Sequence, residues 1–268
     1  MNLLLIDGDE VAYKAASTSI DNDPERFERS EEEVINKIEN IFSTYLHHLE
    51  ANYDITITDY NFFLGGVNNF RKTLFPEYKS HRKLKETPPL LEFARNYIVE
   101  HLNGFVAHGV ESDDAIVATY YEWLNSPFFN PKEDVIIIAS RDKDFQQVPC
   151  IFELEGGVTK NGLFDTYHTR MEVRMITIDE ANRFFYKQML MGDNVDGIKG
   201  IAKVGEKTAE KILGDAVSEY SLIKRAFTKY KSVYKGKARE MWIGNYTMLR
   251  MRRGGIKTPI RTTKVVGS

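Results

Sequence analysis

Four short apolar or aromatic runs, separated by helical patterns, constrain the fold of this 268-residue chain most strongly. They are Leu3–Ile6, Tyr60–Leu64, Phe105–Ala107 and Val135–Ala139. Runs of this length without polar alternation predict strands buried on both faces, which is typical of parallel sheets. Because strands that alternate with helices wind into layered sheets, we predict an α/β fold with a mostly parallel central sheet flanked by helices.

The helical patterns carry recognisable starts. Ser30 to Glu33 forms a capping box ahead of an apolar stripe, and Thr87-Pro88 opens a second helix with proline in its first turn. After about Thr177 the pattern becomes helical throughout. We therefore predict a core at residues 1–176 and a helical region at residues 177–268.

Charge is distributed unevenly along the chain. The net charge is −3, yet the segment from Ser221 to Ser268 holds thirteen Lys and Arg against one acid, Glu240. A basic end is consistent with a solvated tail and with a polyanionic partner, and both interpretations stay open at this point.

Two classes of protein are disfavoured. Cys150 is the only cysteine, so an intrachain disulfide and a cysteine-rich zinc site are excluded. The first thirteen residues, MNLLLIDGDEVAY, have neither a basic leader nor a long apolar run. We expect a soluble protein of the cytoplasm with no membrane partner.

Acidic residues follow three of the predicted strands. In parallel sheets the functional crevice lies beyond the carboxyl ends of the strands, so these clusters should meet there. Carboxylates crowded in a partly dry cleft need cations, and an oxygen-only ligand set favours Mg²⁺ or Mn²⁺. Taken singly, each cluster is also consistent with a turn or a helix cap. The candidate ligands are Asp7, Asp9, Glu111, Asp113, Asp114, Asp142 and Asp144, with Asp193 and Asp196 as a fourth pair.

Two further segments suggest phosphate binding. Gly200 to Ala209, in GIAKVGEKTA, is similar to a helix-hairpin-helix, in which a glycine turn and a helix N-terminus offer N–H groups to a DNA phosphate. The run RKTLFPEYKSHRKLK holds six basic residues and could bind a polyphosphate, while Tyr78 within it could stack on a base. An ordinary helical hairpin and a solvated basic loop are the alternatives.

The order of five motifs resembles the 5′-nuclease superfamily, which includes the 5′ to 3′ exonuclease domain of bacterial DNA polymerase I, flap endonucleases and phage 5′ exonucleases. The motifs are IDGDE, LFPEYKSHRK, ESDDAIVA, ASRDKDFQQV and MGDNVDGIKGIAKVGEKTAEKIL, and together they extend from about Leu3 to Leu213. The resemblance implies a PIN-like core, a helical arch at about residues 71–100 and a helix-hairpin-helix at about residues 190–214.

The same resemblance implies the site. Asp7, Glu111, Asp113 and Asp114 would bind a first metal ion, and Asp142, Asp144, Asp193 and Asp196 a second. Lys79 and Arg82 match the basic pair that grips the scissile phosphate. The implied DNA contacts are Arg71, Tyr78, Lys83, Lys203, Gly205, Lys207 and Thr208, with K⁺ as a further ion at the hairpin.

The implied function is metal-dependent hydrolysis of DNA as a 5′ to 3′ exonuclease or flap endonuclease, in replication or repair. The implied partners are DNA 5′ ends and flaps, with RNA–DNA hybrids as further substrates. The implied state is a monomer in the cytoplasm of a bacterium or a phage-infected cell.

Two positions depart from the family pattern. Gly66 stands where the family places an Asp after the second strand, so the first metal site lacks one carboxylate, for which Asp9 is the candidate substitute. Lys203 stands where the hairpin has its first glycine, so it either avoids a positive φ or tolerates strain.

Two other functions stay open. One is a DNA-binding homologue that has lost turnover through Gly66. The other is a haloacid-dehalogenase-type phosphatase, whose Asp-x-Asp start is similar to Asp7 to Asp9 in LLLIDGDEV.

Overall fold

The computed structural model describes residues 1–17, 30–80, 87–155 and 171–255. Its strands are β1 (Asn2–Asp7), β2 (Asp59–Gly65), β3 (Gly104–Ala107), β4 (Val135–Ala139), β5 (Ile151–Glu155), β6 (Met171–Met175), β7 (Gly192–Asp193) and β8 (Ile198–Lys199). Its α-helices are α1 (Gly8–Ala16), α2 (Glu31–Tyr53), α3 (Phe70–Leu74), α4 (Leu91–His101), α5 (Ser112–Leu124), α6 (Ile178–Met191), α7 (Glu206–Leu213), α8 (Glu219–Tyr234) and α9 (Ala238–Leu249).

The main sheet has the strand order β3-β2-β1-β4-β5-β6. The first five strands pair in parallel, and β6 pairs antiparallel with β5. The chain leaves β1 towards β2 and β3 on one side and later returns to place β4 on the other. The strand order therefore reverses between β1 and β4, and a crevice opens at the carboxyl ends of these two strands.

Each face of the sheet is covered by its own layer. Successive residues of a strand point to opposite faces, so Leu3 and Leu5 join one apolar cluster with α5, while Leu4 and Ile6 join another with α1, α2 and α4. These four leucine and isoleucine side chains are at most 1% exposed. Burial on both faces explains why β1 is a continuous apolar run.

The helical region has a third cluster of its own, in which α6, α7, α8 and α9 pack around residues such as Tyr230 and Phe185. Between α6 and α7 the chain forms the short β7–β8 hairpin. Gly192 and Gly200 approach so closely that a Cβ on Gly192 would lie 2.2 Å from the amide nitrogen of Gly200. No side chain fits there, which explains the glycines that flank this turn.

The segment Met248–Arg252, which we call the strap, returns from α9 to the sheet. Gln147 binds it at two points, donating to the carbonyl of Leu249 at 3.1 Å and accepting from the amide of Met251 at 3.1 Å. Met251 is 3% exposed and belongs to the cluster that contains α5. The strap thus ties the helical region to the core.

The predicted α/β fold is confirmed, and all four predicted strands are present with ends that differ by at most one residue. β5 and β6 were not predicted. Residues 81–86, which include part of the predicted arch, lie outside the described residues. Among the described helices, none combines the length and the apolar character that crossing a lipid bilayer requires.

Candidate active site

Asp7 lies at the carboxyl end of β1 and caps the N-terminus of α1. Its carboxylate accepts from the amide of Glu10 at 3.1 Å and from the hydroxyl of Ser140, which follows β4, at 3.3 Å. Burial, together with the negative charges of Glu10 and Asp142, raises the pKa of Asp7 to about 7. A carboxyl group with a raised pKa thus lies between the ends of β1 and β4, where the strand order reverses.

Glu111 immediately precedes α5 and is surrounded by donors. Lys79 donates to one oxygen at 2.6 Å, and the hydroxyl of Tyr78 donates to the other at 2.7 Å. Burial acts to raise the pKa of Glu111, but the charge and hydrogen bond of Lys79 outweigh it and the pKa is lowered. Glu111 is therefore held as an anion.

The next two acids of this motif have different surroundings. Asp113 is half-buried, and burial together with Glu111 and Asp114 raises its pKa well above the ordinary value. Asp114 is 0% exposed and forms a two-point contact with the guanidinium of Arg71, with one bond at 3.0 Å. The amide of Arg252 also donates to Asp114, at 2.9 Å. Asp113 faces the cleft, whereas Asp114 is enclosed behind it.

Arg71 and Tyr78, two of the predicted DNA contacts, are mostly buried and bind partners within the protein. Arg71 is 2% exposed, and besides the two acids it donates to the carbonyls of Met248 at 2.9 Å and Arg250 at 3.1 Å. Tyr78 is 5% exposed, and its hydroxyl donates to Glu111 and, at 3.1 Å, to Asp196. All their polar atoms are thus directed at acids or at the strap rather than at solvent.

Asp142 and Asp144 follow β4 in a 3-10 turn at Lys143–Gln147. Asp142 accepts from the amide of Asp144 at 2.8 Å, while Gln188 on α6 donates to Asp144 at 2.6 Å. Burial, then Asp142 and Asp193, raise the pKa of Asp144 to about 7. Burial also raises the pKa of Asp142. The pKa of both carboxyl groups in this turn is therefore raised.

Asp193 and Asp196 are brought to the same region by the turn between β7 and β8. Asp193 is 4% exposed, accepts from the amide of Val195 at 2.8 Å and lies 3.1 Å from the ammonium of Lys143. Asp196 lies 3.5 Å from the ammonium of Lys79. The β7–β8 turn therefore brings two acids within reach of lysines that lie beside the other candidate ligands.

Asp9 is paired differently from the acids around it. It accepts from the amide of Gly65 at 2.7 Å and forms an ion pair with Arg95 of α4, although its side chain is 34% exposed. Arg95 also donates to the carbonyl of Gly65. Asp9 lines the cleft, but its charge is already compensated and it holds the end of β2 in place.

Gly66 has no room for a side chain. A Cβ there would lie 2.5 Å from the carbonyl oxygen of Ala107 and 2.6 Å from Nδ1 of His108. The amide of Gly66 donates to that same carbonyl at 2.6 Å. The strand end is therefore packed against β3 in a way that only glycine permits, and it excludes a carboxylate at this position.

Two lysines of the motifs have left-handed backbone. Lys79 has φ 53°, and its amide donates to the carbonyl of Asp196 at 3.2 Å. Lys203 has φ 62° in the turn before α7, so this non-glycine residue tolerates the strained conformation rather than avoiding it. Both lysines are predicted phosphate contacts, and backbone strain of this kind often occurs at functional sites.

The remaining predicted hairpin contacts lie at the exposed start of α7. Gly205 is its N-cap, and a Cβ there would meet nothing within 4 Å, so packing within the described protein does not require glycine. Lys203, Lys207 and Thr208 are exposed beside it. Arg82 and Lys83 lie outside the described residues.

Five of the candidate acids line one cleft of about 980 Å³, in which Asp7, Asp9, Glu111, Asp113 and Asp142 lie beside Tyr78 and Lys79. In the part of the chain that is described, no three carboxyl, imidazole or thiol groups converge closely enough to hold one ion in this side-chain arrangement. Lysines and arginines take up carboxylate oxygens instead. The donor set nevertheless fits a hard cation, because all donors are oxygens and because burial and neighbouring carboxylates raise the pKa of Asp7 and of Asp144 to about 7.

Three functional partners were missed by sequence reasoning. Glu10 accepts from Ser140 at 3.1 Å and from the amide of Arg141 at 2.8 Å, which fixes the end of β4 beside β1. Arg95 and Lys143 neutralise Asp9 and Asp193. Glu10 carried a signal, because it directly follows the acidic pair Asp7 and Asp9 in the sequence, whereas Arg95 carried none.

Comparison with known proteins places these residues in a family context. The sequence model of the 5′-3′ exonuclease, N-terminal resolvase-like domain matches residues 2–167. A 5′-3′ exonuclease of Buchnera aphidicola subsp. Schizaphis graminum is 25% identical over 241 residues, covering 86% of this chain and 75% of that protein. DNA polymerase I of Lactococcus lactis subsp. lactis is 26% identical over 261 residues, which are 92% of this chain but 27% of the polymerase.

A solved structure supports the fold. A crystal structure of the bacteriophage T5 flap endonuclease, in a pseudo-enzyme–product complex with DNA and metal ions, has a TM-score of 0.51. It is 15% identical and covers 93% of this chain and 99% of its own.

Proposed function

The chain belongs to the 5′-3′ exonuclease family, and from this premise we propose that it hydrolyses DNA phosphodiesters near 5′ ends or at flap junctions with divalent metal ions. The observation that carries the proposal is the meeting of acids from four separate elements at the switch point of the sheet. They come from the ends of β1 and β4, from the start of α5 and from the β7–β8 turn.

Two Mg²⁺ or Mn²⁺ ions fit this donor set. Asp7, Glu111 and Asp113 would hold the first ion, and Asp142, Asp144, Asp193 and Asp196 the second; Asp114 would act on the first site through Arg71. When bound, such ions neutralise the phosphate and supply an activated water for hydrolysis. A solved structure of the T5 flap endonuclease, which has a similar fold, contains DNA and metal ions, and this supports metal binding in the proposal.

Lys79 is proposed to bind the scissile phosphate. Its ammonium bridges Glu111 and Asp196, and this pairing, acting against burial, raises its pKa, so it enters the reaction fully charged. If Glu111 and Asp196 served as ligands of the two ions, the ammonium of Lys79 would be available to bind the phosphate. Arg82 and Lys83 are proposed partners of Lys79 from outside the described residues.

The hairpin is proposed to hold the duplex without reading its sequence. Lys203, Gly205, Lys207 and Thr208 would contact backbone phosphates, and K⁺ is the proposed ion at the turn. Under the same proposal the chain acts as a cytoplasmic monomer in replication or repair and also accepts RNA–DNA hybrids. Its proposed domains are a core at residues 1–176 and a helical region at residues 177–268.

One observation favours a second candidate, a DNA-binding homologue with weak turnover. Gly66 cannot carry the missing carboxylate, and Asp9, its predicted substitute, is engaged by Arg95. The first metal site would then be weaker than the second. The phosphatase alternative has no support from the family to which the chain matches.

The test is cleavage of a 5′-labelled duplex and of a flap substrate. We expect Mg²⁺ or Mn²⁺ to support release of short products from the 5′ end and EDTA to abolish it. The variant Asp144→Asn should bind the substrate as tightly as the natural protein in EDTA but fail to cut it with metal. Cleavage that survives metal removal would contradict the proposal, and tight binding without cleavage under any metal would select the second candidate.

A further inference from the structure

Outside the cleft, an open cavity of about 490 Å³ lies where α9 passes into the strap. Three arginines line it: Arg250 and Arg252 from the strap and Arg253 directly after it. One acid, Glu219 of α8, also lines it, and that acid accepts from the hydroxyl of Tyr186 at 3.1 Å. The cavity is therefore rich in positive charge.

The three guanidinium groups are held by aromatic rings rather than by acids. Arg250 lies 4.2 Å from the ring centre of Phe185, Arg252 lies 4.4 Å from that of Phe70, and Arg253 lies 5.2 Å from that of Tyr121. Within the described ranges no carboxylate forms an ion pair with any of them. A guanidinium stacked on a ring keeps its N–H groups directed along its own plane, where they are available to an acceptor.

The side chain of Arg250 has a hydrogen-bond donor without an acceptor. Its Nη1 is buried without a hydrogen-bond acceptor, and burial, followed by the like charge of Arg253, lowers the pKa of Arg250. A guanidinium does not lose its proton in a protein, so an acceptor, best an anion, is needed to satisfy this buried Nη1. Planar, forked donors of this kind match the oxygens of a phosphate.

We propose that this arginine cavity binds a phosphate group, supplied by a DNA strand that extends beyond the acidic cleft. That the phosphate comes from DNA rests on the proposed function, whereas the anion site itself does not. The backbone of the same segment is linked to the cleft through Arg71, which donates both to the carbonyl of Arg250 and to the cleft acid Glu111.

The experiment compares Arg250→Gln and Arg253→Gln with Arg239→Gln, an equal charge change at an exposed site on α9 outside this cavity. Binding of a fluorescent flap duplex to the full chain is measured by anisotropy in EDTA over a series of KCl concentrations. We expect the slope of log K against log salt to become shallower by about 0.7 to 0.9 for each cavity variant and to stay unchanged for the control. Arg253 is exposed, so its replacement keeps the test valid even if Arg250→Gln folds poorly.

A second arm identifies the source of the phosphate. The melting temperature of each protein is measured with inorganic phosphate and with chloride at equal ionic strength. Phosphate could stabilise the natural protein but neither cavity variant, while the salt slopes of DNA binding stay unchanged. The cavity would then be a site for free phosphate rather than for a DNA strand. If the salt slope and the phosphate-induced change in melting temperature are the same in the natural protein and in all three variants, the proposed phosphate site is wrong. Because both arms omit divalent metal, failure of cleavage would overturn the proposed function alone.

Discussion

Replacing Arg71 by Met should destabilise the protein more than any exposed arginine substitution. Arg71 is 2% exposed and makes bonds to Asp114, to Glu111 and to the carbonyls of Met248 and Arg250. Met conserves much of the volume but leaves Asp114, which is 0% exposed, without its counter-charge. Removing one partner of a buried ion pair costs about 3 to 5 kcal/mol, against a total stability of about 5 to 15 kcal/mol.

The assay is urea unfolding in EDTA. With a slope of about 2 kcal/mol per molar urea, the midpoint should fall by about 1.5 to 2.5 M while the slope itself stays constant. The matched control is Arg225→Met, whose partner Asp215 is 93% exposed, and it should cost less than about 1 kcal/mol.

A double-mutant cycle decides whether the buried pair is the cause. Because Arg71→Met combined with Asp114→Leu removes both charges, the double variant should be less destabilised than the sum of the two single variants by about 1 to 3 kcal/mol. If Arg71→Met costs no more than the exposed control, or if the two single costs simply add, the reasoning about the buried ion pair is refuted.

Three further predictions concern the cleft. Gly66→Ala should destabilise by about 1 to 3 kcal/mol, because a Cβ meets a backbone carbonyl at 2.5 Å, whereas Gly65→Ala, whose Cβ meets a carboxylate oxygen at 3.1 Å, should cost less in the same urea assay; equal costs would contradict the packing argument. The pKa of Asp7 and of Asp144 is about 7 against the ordinary 3.8, so the folded state keeps protons that the unfolded state has released, and the metal-free melting temperature should fall between about pH 4 and about pH 7. Calorimetry of the double variant with Asn at both positions should show a flatter pH profile, and an unchanged profile would count against these shifts. Lys79→Ala should lower single-turnover cleavage at least tenfold while changing DNA affinity in EDTA less than threefold, about 1.4 and 0.7 kcal/mol respectively; an equal loss in both would mean that Lys79 only binds.

The sheet could be predicted from the sequence because its central strands are buried on both faces. Leu3–Ile6 and Val135–Ala139 are continuous apolar runs, which no surface element of this length would show. β6 escaped prediction because it alternates, with polar and apolar residues following one another in Met171–Met175. Alternation over five residues is weak evidence for a strand at the end of a sheet.

The candidate site was predictable in its residue types but not in its orientations. The motif ESDD shows three acids without showing that Asp114 turns inward to Arg71, which is 43 positions away in the sequence. Arg71 and Tyr78 stand in a basic run and were expected at DNA, yet their partners Glu111 and Met248 are distant along the chain. Net charge can be read from a sequence, whereas the direction of a side chain depends on packing between remote segments.

The strap has a consequence for the order in which the molecule is made. Met248 and Arg252 complete the hydrogen bonds of Arg71 and Asp114, residues synthesised 177 and 138 positions earlier. At a translation rate of about 5 to 20 residues per second, Arg71 and Asp114 would wait about 7 to 35 seconds before these bonds can form. We expect a ribosome-stalled chain that ends before Met248 to be cut readily by protease around α5, and a chain that has released Arg252 to resist. The contacts that hold Arg71 and Asp114 in place would therefore be complete only after the ribosome has synthesised and released the strap.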